Sequence, residues 1–383
     1  MIKRELSVIV KEYAQSFRAV LIVGPRQSGK TTLVKHCFPN KPYISLENPD
    51  ERELATVDPR AFLNRFPDGA ILDEIQRTPL LFNYLQEIID NSDEDGLFIL
   101  TGSNNILLLE NITQSLAGRI GILDLLPLIY SEVKSFTNKT SLSELIIKGF
   151  YPEIYHKNRN PQLWYPSYIR TYIERDVRQI KQIENSLMFQ KFIKLCAGRI
   201  GQQINISSLS NDCGIDIRTV QSWLSILEST YVVYLLQPFH QNYNKRLVKS
   251  PKLYFYDTGL ACSLLNIKTQ DEFLNSHFKG ALVENFIISE CFKNNKNKQL
   301  GQQFYYWRDN KGVEIDLLVE LADRITPIEI KSAQTYTKDF SKNLKKFISY
   351  SAIDKGIILY DGSAEFKGSD KIEVMHWSTY LVS

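Results

Sequence analysis

The chain has 383 residues, 43% apolar and 23% charged, and its 46 Lys and Arg barely exceed its 43 Asp and Glu, for a net charge of +3. These figures exclude a fibrous, disordered or disulfide-stapled protein and predict roughly two to four domains with an ample core. They also exclude a globally basic nucleic-acid binder, so any such surface has to be local. Cys37, Cys196, Cys213, Cys262 and Cys291 are far apart and form no CxxC pair, the pattern of reduced thiols in a cytoplasmic protein. No apolar run nears the roughly 18 residues that span a bilayer. The opening Met1-Ile2-Lys3-Arg4-Glu5 leads only to Val8-Ile9-Val10, too short for a signal segment. Instead Ile2, Leu6, Ile9, Val10 and Tyr13 share one stripe of a first helix.

The strand-like run Ala19-Val20-Leu21-Ile22-Val23 stops at Gly24 and restarts as a helix at Lys30-Thr31-Thr32. Gly24, Pro25, Arg26, Gln27, Ser28, Gly29, Lys30, Thr31 and Thr32 have the composition of a phosphate cradle. The two glycines permit backbone turns that point successive N–H groups inward, and the following helix offers its positive end. Lys30 then reaches the β- and γ-phosphates of ATP, and the Thr31 hydroxyl sits on magnesium. Pro42-Tyr43-Ile44-Ser45-Leu46 reads as a second strand. Gly69-Ala70-Ile71-Leu72-Asp73-Glu74-Ile75-Gln76 reads as a buried strand whose tip carries two carboxylates. Asp73 is the expected magnesium partner and Glu74 the group that orients and activates the attacking water.

Leu97-Phe98-Ile99-Leu100-Thr101-Gly102-Ser103-Asn104 is a further strand whose tip suits sensing of the γ-phosphate, Ser103 ahead of Asn104; plain turn chemistry is the alternative. Arg119, before the strand Ile120–Leu125, either neutralises charge on the transferring phosphoryl group, from its own or a neighbouring subunit of a homo-oligomer, or makes a surface salt bridge.

From Leu126 to about Ile183 the chain reads as helices packed by Trp164, Tyr165, Tyr168, Tyr172 and Ile173. Arg170, Arg175 and Arg178 recur at helical spacing beside Glu174 and Asp176, either as a solvated face or as a lid helix whose Arg175 reaches ATP. Ser207–Cys213, the Gly214 turn and a second helix Ile217–Glu228 capped by Asp216 form a helix-turn-helix pattern. Val220, Leu224 and Leu227 give its buried stripe, leaving Arg218, Gln221 and Ser222 outside. With Tyr231–Leu236 and the basic Asn244–Lys249 as strand and wing, such a module either enters a DNA major groove or packs between domains.

In the last region Gly280–Ile288 reads as a helix, and Gln303–Arg308, Val313–Val319 and Thr326–Lys331 as strands. Strand periodicity places Glu314 and Asp316 on one face of Val313–Val319, and Glu329 and Lys331 on one face of Thr326–Lys331, with Ile328 and Ile330 behind. Buried carboxylates need partners, and a hard divalent cation is one; alternating charges on an exposed sheet face are the other account.

The segments Gly24–Thr32, Leu72–Gln76, Leu100–Ser103, Leu116–Arg119, Gly149–Glu153, Tyr172–Val177 and Lys252–Leu260 together resemble a family of prokaryotic AAA-type P-loop ATPases with a C-terminal domain of unknown function. The resemblance implies an α/β multidomain chain: an ATPase core over 1–125 built on a parallel sheet, a helical lid over 126–190, a winged-helix-like domain over 191–265, and a restriction-endonuclease-like α/β domain over 266–383. Asp316, then Glu329-x-Lys331, with Glu284 on the preceding helix, likewise resembles the site of metal-dependent nucleases. The likeness implies that Asp316 and Glu329 bind magnesium or manganese, that Lys331 positions the attacking hydroxide, and that Glu284 adds a metal contact. The resulting expectation is an ATPase, using magnesium, that drives a DNA-directed nuclease-like domain. Its alternative is an ATP-dependent switch that binds nucleic acid or protein without cleavage.

Overall fold

The computed structural model describes residues 2–103, 116–136, 140–173, 186–239, 250–351, 353, 355–368 and 371–382. The expectations placed on Asn104, Glu174, Arg175, Asp176, Arg178 and the basic run Asn244–Lys249 lie outside the described residues. The chain divides into two compact units, one of Met1–Leu128 with Ser229–Tyr231 and Lys296–Gln299, the other holding the rest.

The first unit is built on β1 (Ala19–Val23), β2 (Tyr43–Ser45), β3 (Ala70–Asp73), β4 (Phe98–Gly102) and β5 (Ile120–Asp124). All pairings are parallel, in the order β2-β3-β4-β1-β5, so every strand delivers its carboxyl end to one edge. Every residue of β1, β3 and β4 is buried, which explains the unbroken apolar runs. Around the sheet lie α1 (Ser7–Tyr13), α2 (Lys30–Cys37), α3 (Pro49–Val57), α4 (Pro59–Asn64) and α5 (Leu81–Asp90). Leu6 and Val10 beside α2's Leu33 and Val34 close one face over Val20 and Ile22. The strand expected to end in the two carboxylates ends at the first of them, Asp73. Glu74 adopts a left-handed backbone, φ 60° and ψ 44°, and a 3₁₀ turn follows over Ile75–Arg77.

The second unit contains helices Ser186–Ala197, Ile206–Cys213 and Ile217–Ser229, then an antiparallel pair of β6 (Val233–Leu236) and β7 (Lys252–Phe255). Gly214 takes the left-handed turn at φ 79° and Asp216 accepts the Thr219 N–H at 3.0 Å, as capping chemistry requires. Val220, Leu224 and Leu227 are buried, and Arg218 and Gln221 are exposed. Ser222 is half-buried rather than outside, its Oγ enclosed without a hydrogen-bond partner.

The remaining strands are β8 (Gln303–Arg308), β9 (Glu314–Leu321), β10 (Arg324–Lys331), β11 (Gly356–Tyr360), β12 (Phe366–Lys367) and β13 (Ile372–His376), in the order β12-β13-β11-β10-β9-β8. β8, β9 and β10 form an antiparallel meander, and β10, β11 and β13 run parallel. The helix Lys279–Lys298 precedes β8 and is longer than the sequence pattern suggested; Lys342–Tyr350 links β10 to β11.

Two of the sequence segments meet at a buried carboxylate in this unit. Asp257, 1% exposed, caps the helix Thr258–Leu264 by accepting the Leu260 N–H at 2.8 Å. It also accepts the Phe150 N–H at 2.7 Å and the Tyr165 hydroxyl at 2.7 Å. Gly149, at φ +66°, has to lack a side chain, because a Cβ would lie 1.9 Å from the Tyr165 oxygen. Tyr151, Trp164, Tyr165 and Tyr168 stack around this junction, which gives the expected aromatic packing a specific purpose.

Candidate functional site

At the carboxyl edge of the first sheet the loop after β1 alternates backbone hand, with positive φ at Gly24 (153°), Gln27 (62°) and Gly29 (94°). Backbone of alternating hand is the kind that can present N–H groups to an anion, although the Ser28 N–H donates within the loop to the Pro25 carbonyl at 3.3 Å. A Cβ on Gly24 would lie 2.1 Å from the Leu125 carbonyl oxygen, so the loop's approach to the chain after β5 requires glycine. Ser28 is wholly buried with its Oγ unpartnered, an enclosed donor suited to a polar ligand. Lys30 stands at the mouth of α2 and donates to the carbonyls of Gly24 and Pro25 at 2.9 Å each. Arg4 was not anticipated from sequence. Ahead of α1, its buried guanidinium donates to the Ser28 carbonyl at 2.6 Å and the Leu126 carbonyl at 2.7 Å, bracing the loop.

Asp73 is brought to the same place. It accepts the Thr31 hydroxyl at 2.9 Å, the Tyr43 hydroxyl at 2.7 Å and the Thr101 hydroxyl. Three hydroxyls from three elements therefore fix one carboxylate next to the helix mouth. Burial and the adjacent Asp73 carboxylate push the Tyr43 phenol well above its ordinary value, which keeps it a donor. Thr31 and Asp73 are thereby juxtaposed as a cation shared with phosphate oxygens would need. Thr32, by contrast, is exposed.

Glu74, half-buried, accepts from Gln76 Nε2 at 2.5 Å and from Ser103 Oγ at 3.2 Å, and Gln76 donates to Ser103 at 3.1 Å. Ser103 at the tip of β4 thus contacts the expected water-activating group directly. Arg119 requires a correction. In the parallel register Ile120 pairs with Ala19 and Asp124 with Val23, so Arg119 precedes the amino end of β5, opposite the phosphate loop. There it makes an ion pair with Asp90 at the end of α5, Nη2 to Oδ2 at 3.1 Å, the salt-bridge alternative for its own chain.

In the second unit the strand register sets Ile328 against Leu317, which puts Glu329 beside Asp316. Asp316 accepts the Ile330 N–H at 2.7 Å. Glu329, 2% exposed, binds Lys331 Nζ through Oε1 at 2.9 Å and Asn343 Nδ2 at 3.3 Å; its Oε2 is buried and unpartnered. Burial, reinforced by Asp316, pushes Glu329 up to about 8. Burial opposes the Lys331 charge, but Asp316 and Glu329 outweigh it and hold that ammonium above its ordinary value.

Glu284 departs from expectation. Its Oε1 accepts Lys252 Nζ at 3.0 Å and the Tyr254 hydroxyl at 2.5 Å, and Lys252, 3% exposed, also binds Glu314 at 2.5 Å. An ammonium from β7 takes the place where a third metal contact was expected. Among the described residues no group of three or more His, Cys, Asp and Glu is arranged to hold a metal ion. Burial pushes Glu284 up to about 7 despite Lys252, with Asp316 adding to the rise. The five cysteines are buried free thiols, and among the described residues no helix is long and apolar enough to cross a membrane.

The loop and the acidic strand tip just described both fall within a segment that matches a known family. Residues 16–134 match the family described as AAA domain. The first unit has a P-loop ATPase fold. Downstream, residues 139–271 and 279–380 each match a domain of unknown function. The chain is similar to an uncharacterized protein of Mycobacterium tuberculosis, 29% identical over 375 residues that cover 97% of this chain and 82% of the relative. It is similar also to one of Methanocaldococcus jannaschii, 26% identical over 387 residues covering 86% and 82%. Among solved structures, a Walker-type ATPase of Pyrococcus abyssi aligns with a TM-score of 0.47 and 14% identity over 69% of this chain and 96% of that one.

Proposed function

We propose that the chain binds and hydrolyses ATP with magnesium, and that the nucleotide state controls what the second unit binds. The Asp73 carboxylate held beside Thr31 at the mouth of α2 carries this reading, because it joins a cation position to the phosphate loop. The loop amides, Ser28 and Lys30 would bind the triphosphate; Thr31 and Asp73 would hold magnesium, whose role when bound is to neutralise phosphate charge. Glu74, aligned by Ser103 and Gln76, would take the proton of the attacking water. The test is magnesium-dependent binding and turnover of ATP by wild type, Lys30→Ala and Glu74→Gln. The reading requires binding lost in the first, and binding retained with turnover down roughly 10²-fold or more in the second. Wild type without magnesium-dependent affinity for any nucleoside triphosphate would end it.

For the second unit, the Lys331 Nζ hydrogen bond that occupies Glu329 Oε1 favours a binding switch, directed at nucleic acid or protein, over cleavage. A second reading rests on the unpartnered buried Oε2 of Glu329. With Asp316 it would hold one magnesium or manganese ion for DNA cleavage, with Lys331 orienting the hydroxide. Plasmid DNA incubated in manganese with wild type and Lys331→Ala separates the two: cleavage by wild type alone supports the nuclease, and identical intact DNA supports the switch.

A further inference from the structure

A pair of arginines other than Arg119 stands at the edge of the sheet that holds the phosphate loop. Arg26 belongs to the phosphate loop itself, and Arg77 closes the 3₁₀ turn that follows Asp73 and Glu74. Both approach the same oxygen of Glu47, Arg77 Nη2 at 3.2 Å and Arg26 Nη1 at 3.9 Å. Glu47 lies just beyond β2, where Leu46 donates its N–H to the Asp73 carbonyl at 3.0 Å. Because the strands run parallel, all three residues fall at the carboxyl edge that also holds Lys30, Thr31 and Asp73. The arginine side chains are 12% and 22% exposed, whereas Glu47 is 54% exposed.

Arg26 and Arg77 approach a single oxygen of one solvated carboxylate, so Glu47 holds neither guanidinium tightly. The Arg77 Nε is enclosed with no hydrogen-bond partner. A buried donor without an acceptor is costly, and a guanidinium gains most from a planar or tetrahedral oxyanion. An exposed ion pair such as that with Glu47 is worth little, so exchanging its oxygen for a phosphate oxygen costs little. A triphosphate with one magnesium ion and Lys30 still carries net negative charge, greatest on the γ-group as its bond to the bridging oxygen breaks.

We propose that Arg77, parked on Glu47 beside Arg26, is the guanidinium that contacts the γ-phosphate of ATP bound in its own chain. Arg26 and Glu47 act as positioning residues. The inference rests on the ATPase reading above and adds a charge-neutralising residue to it. Its chemical content is discrimination: Arg77 contacts a group that ATP has and ADP lacks.

The full-length chain is tested as wild type, Arg77→Ala, Arg77→Lys and Glu47→Gln, measuring affinity for magnesium with fluorescent ADP and with a non-hydrolysable ATP analogue, and single-turnover hydrolysis. Arg77→Ala should keep ADP affinity within about twofold, weaken the ATP analogue by roughly tenfold, and slow turnover by about 10³-fold, the lower end of what such a guanidinium contributes. Arg77→Lys should restore analogue affinity better than turnover, since an ammonium supplies charge without the fork. Glu47→Gln should tighten the analogue over ADP. An unchanged affinity ratio with unchanged turnover overturns the proposal, as does equal weakening of both nucleotides, the mark of a clip that merely braces the loop. Should Arg77→Ala fail to fold, Arg77→Lys with wild-type discrimination and turnover overturns it equally. Wild type that binds no triphosphate would instead remove the ATPase reading, a result distinguishable because no variant need be compared.

Discussion

Replacing Asp73 with alanine should destabilise the protein even before any nucleotide is added. Catalytic carboxylates often cost their folds stability, and their removal then raises the melting temperature. Here three hydroxyls, from Thr31, Tyr43 and Thr101, lose a charged acceptor. Thr101 is wholly buried and has no water to turn to, so its loss approaches the full cost of an unsatisfied group, about 1–3 kcal/mol. Thr31 and Tyr43 are half-buried and can recover part of theirs from solvent. Together the three amount to about 2–4 kcal/mol. At roughly 3 °C per kcal/mol for a unit of this size, the nucleotide-free melting temperature should fall by about 6–12 °C. Asp73→Asn keeps one carbonyl acceptor and should lose about half as much. Both variants should forfeit the magnesium-dependent part of ATP affinity. The assay is differential scanning of the intact chain without nucleotide, paired with titrations of fluorescent ATP in magnesium and in chelator. An Asp73→Ala protein that melts at or above wild type would refute the claim that these hydroxyls depend on this carboxylate.

The location of Arg119 predicts that Arg119→Ala alters ATP turnover less than twofold; a loss of tenfold or more that depends on protein concentration would mean that a second copy supplies it. In the acidic cluster the folded chain holds protons that the unfolded chain releases, because Glu329 is raised from 4.5 to about 8 and Glu284 from 4.5 to about 7. Stability should therefore decline as pH rises from about 4.5 through 8, and Glu329→Gln should show a shallower decline and a higher melting temperature at pH 8; melting curves across that range check the sign. Asp257→Ala strands the Phe150 and Leu260 N–H groups in a buried site and leaves the Tyr165 hydroxyl to the Lys148 carbonyl at 3.2 Å, a cost of about 2–5 kcal/mol, which urea titration followed by tryptophan fluorescence would read. Gly149→Ala meets both a positive-φ backbone and the Tyr165 hydroxyl, and should reduce soluble folded yield more than any exposed substitution on the preceding helix, Leu142–Lys148.

The phosphate loop was legible because its chemistry is local: fourteen consecutive letters encode the strand, the positive-φ glycines, the lysine and the threonine. The buried strands and the alternation of Asp316, Glu329 and Lys331 were legible for the same reason. What sequence order conceals is which end of a parallel strand a residue occupies once the chain returns. Arg119 lies close in sequence to Ser103, yet register sends it to the far edge, whereas Arg77 and Glu47 return to the near one. Partners drawn from distant segments were equally hidden. Nothing near Glu284 in sequence announces the Lys252 ammonium, and nothing near Ser28 announces Arg4. The left-handed backbone at Glu74 ends the strand one residue before the second of its expected tip carboxylates.

The Lys252 contact also bears on how portable the last stretch of the chain is. A fragment cut to residues 279–380, where a recognised domain of unknown function begins and ends, would keep Glu284, Glu314 and Asp316 but leave behind the ammonium that Glu284 and Glu314 share. Recombination or cloning at that apparent seam would hand on Glu284 without its buried ammonium partner and leave Glu314 with Arg308 alone. The inheritable module is therefore wider than its alignment boundary, and must begin upstream of β7.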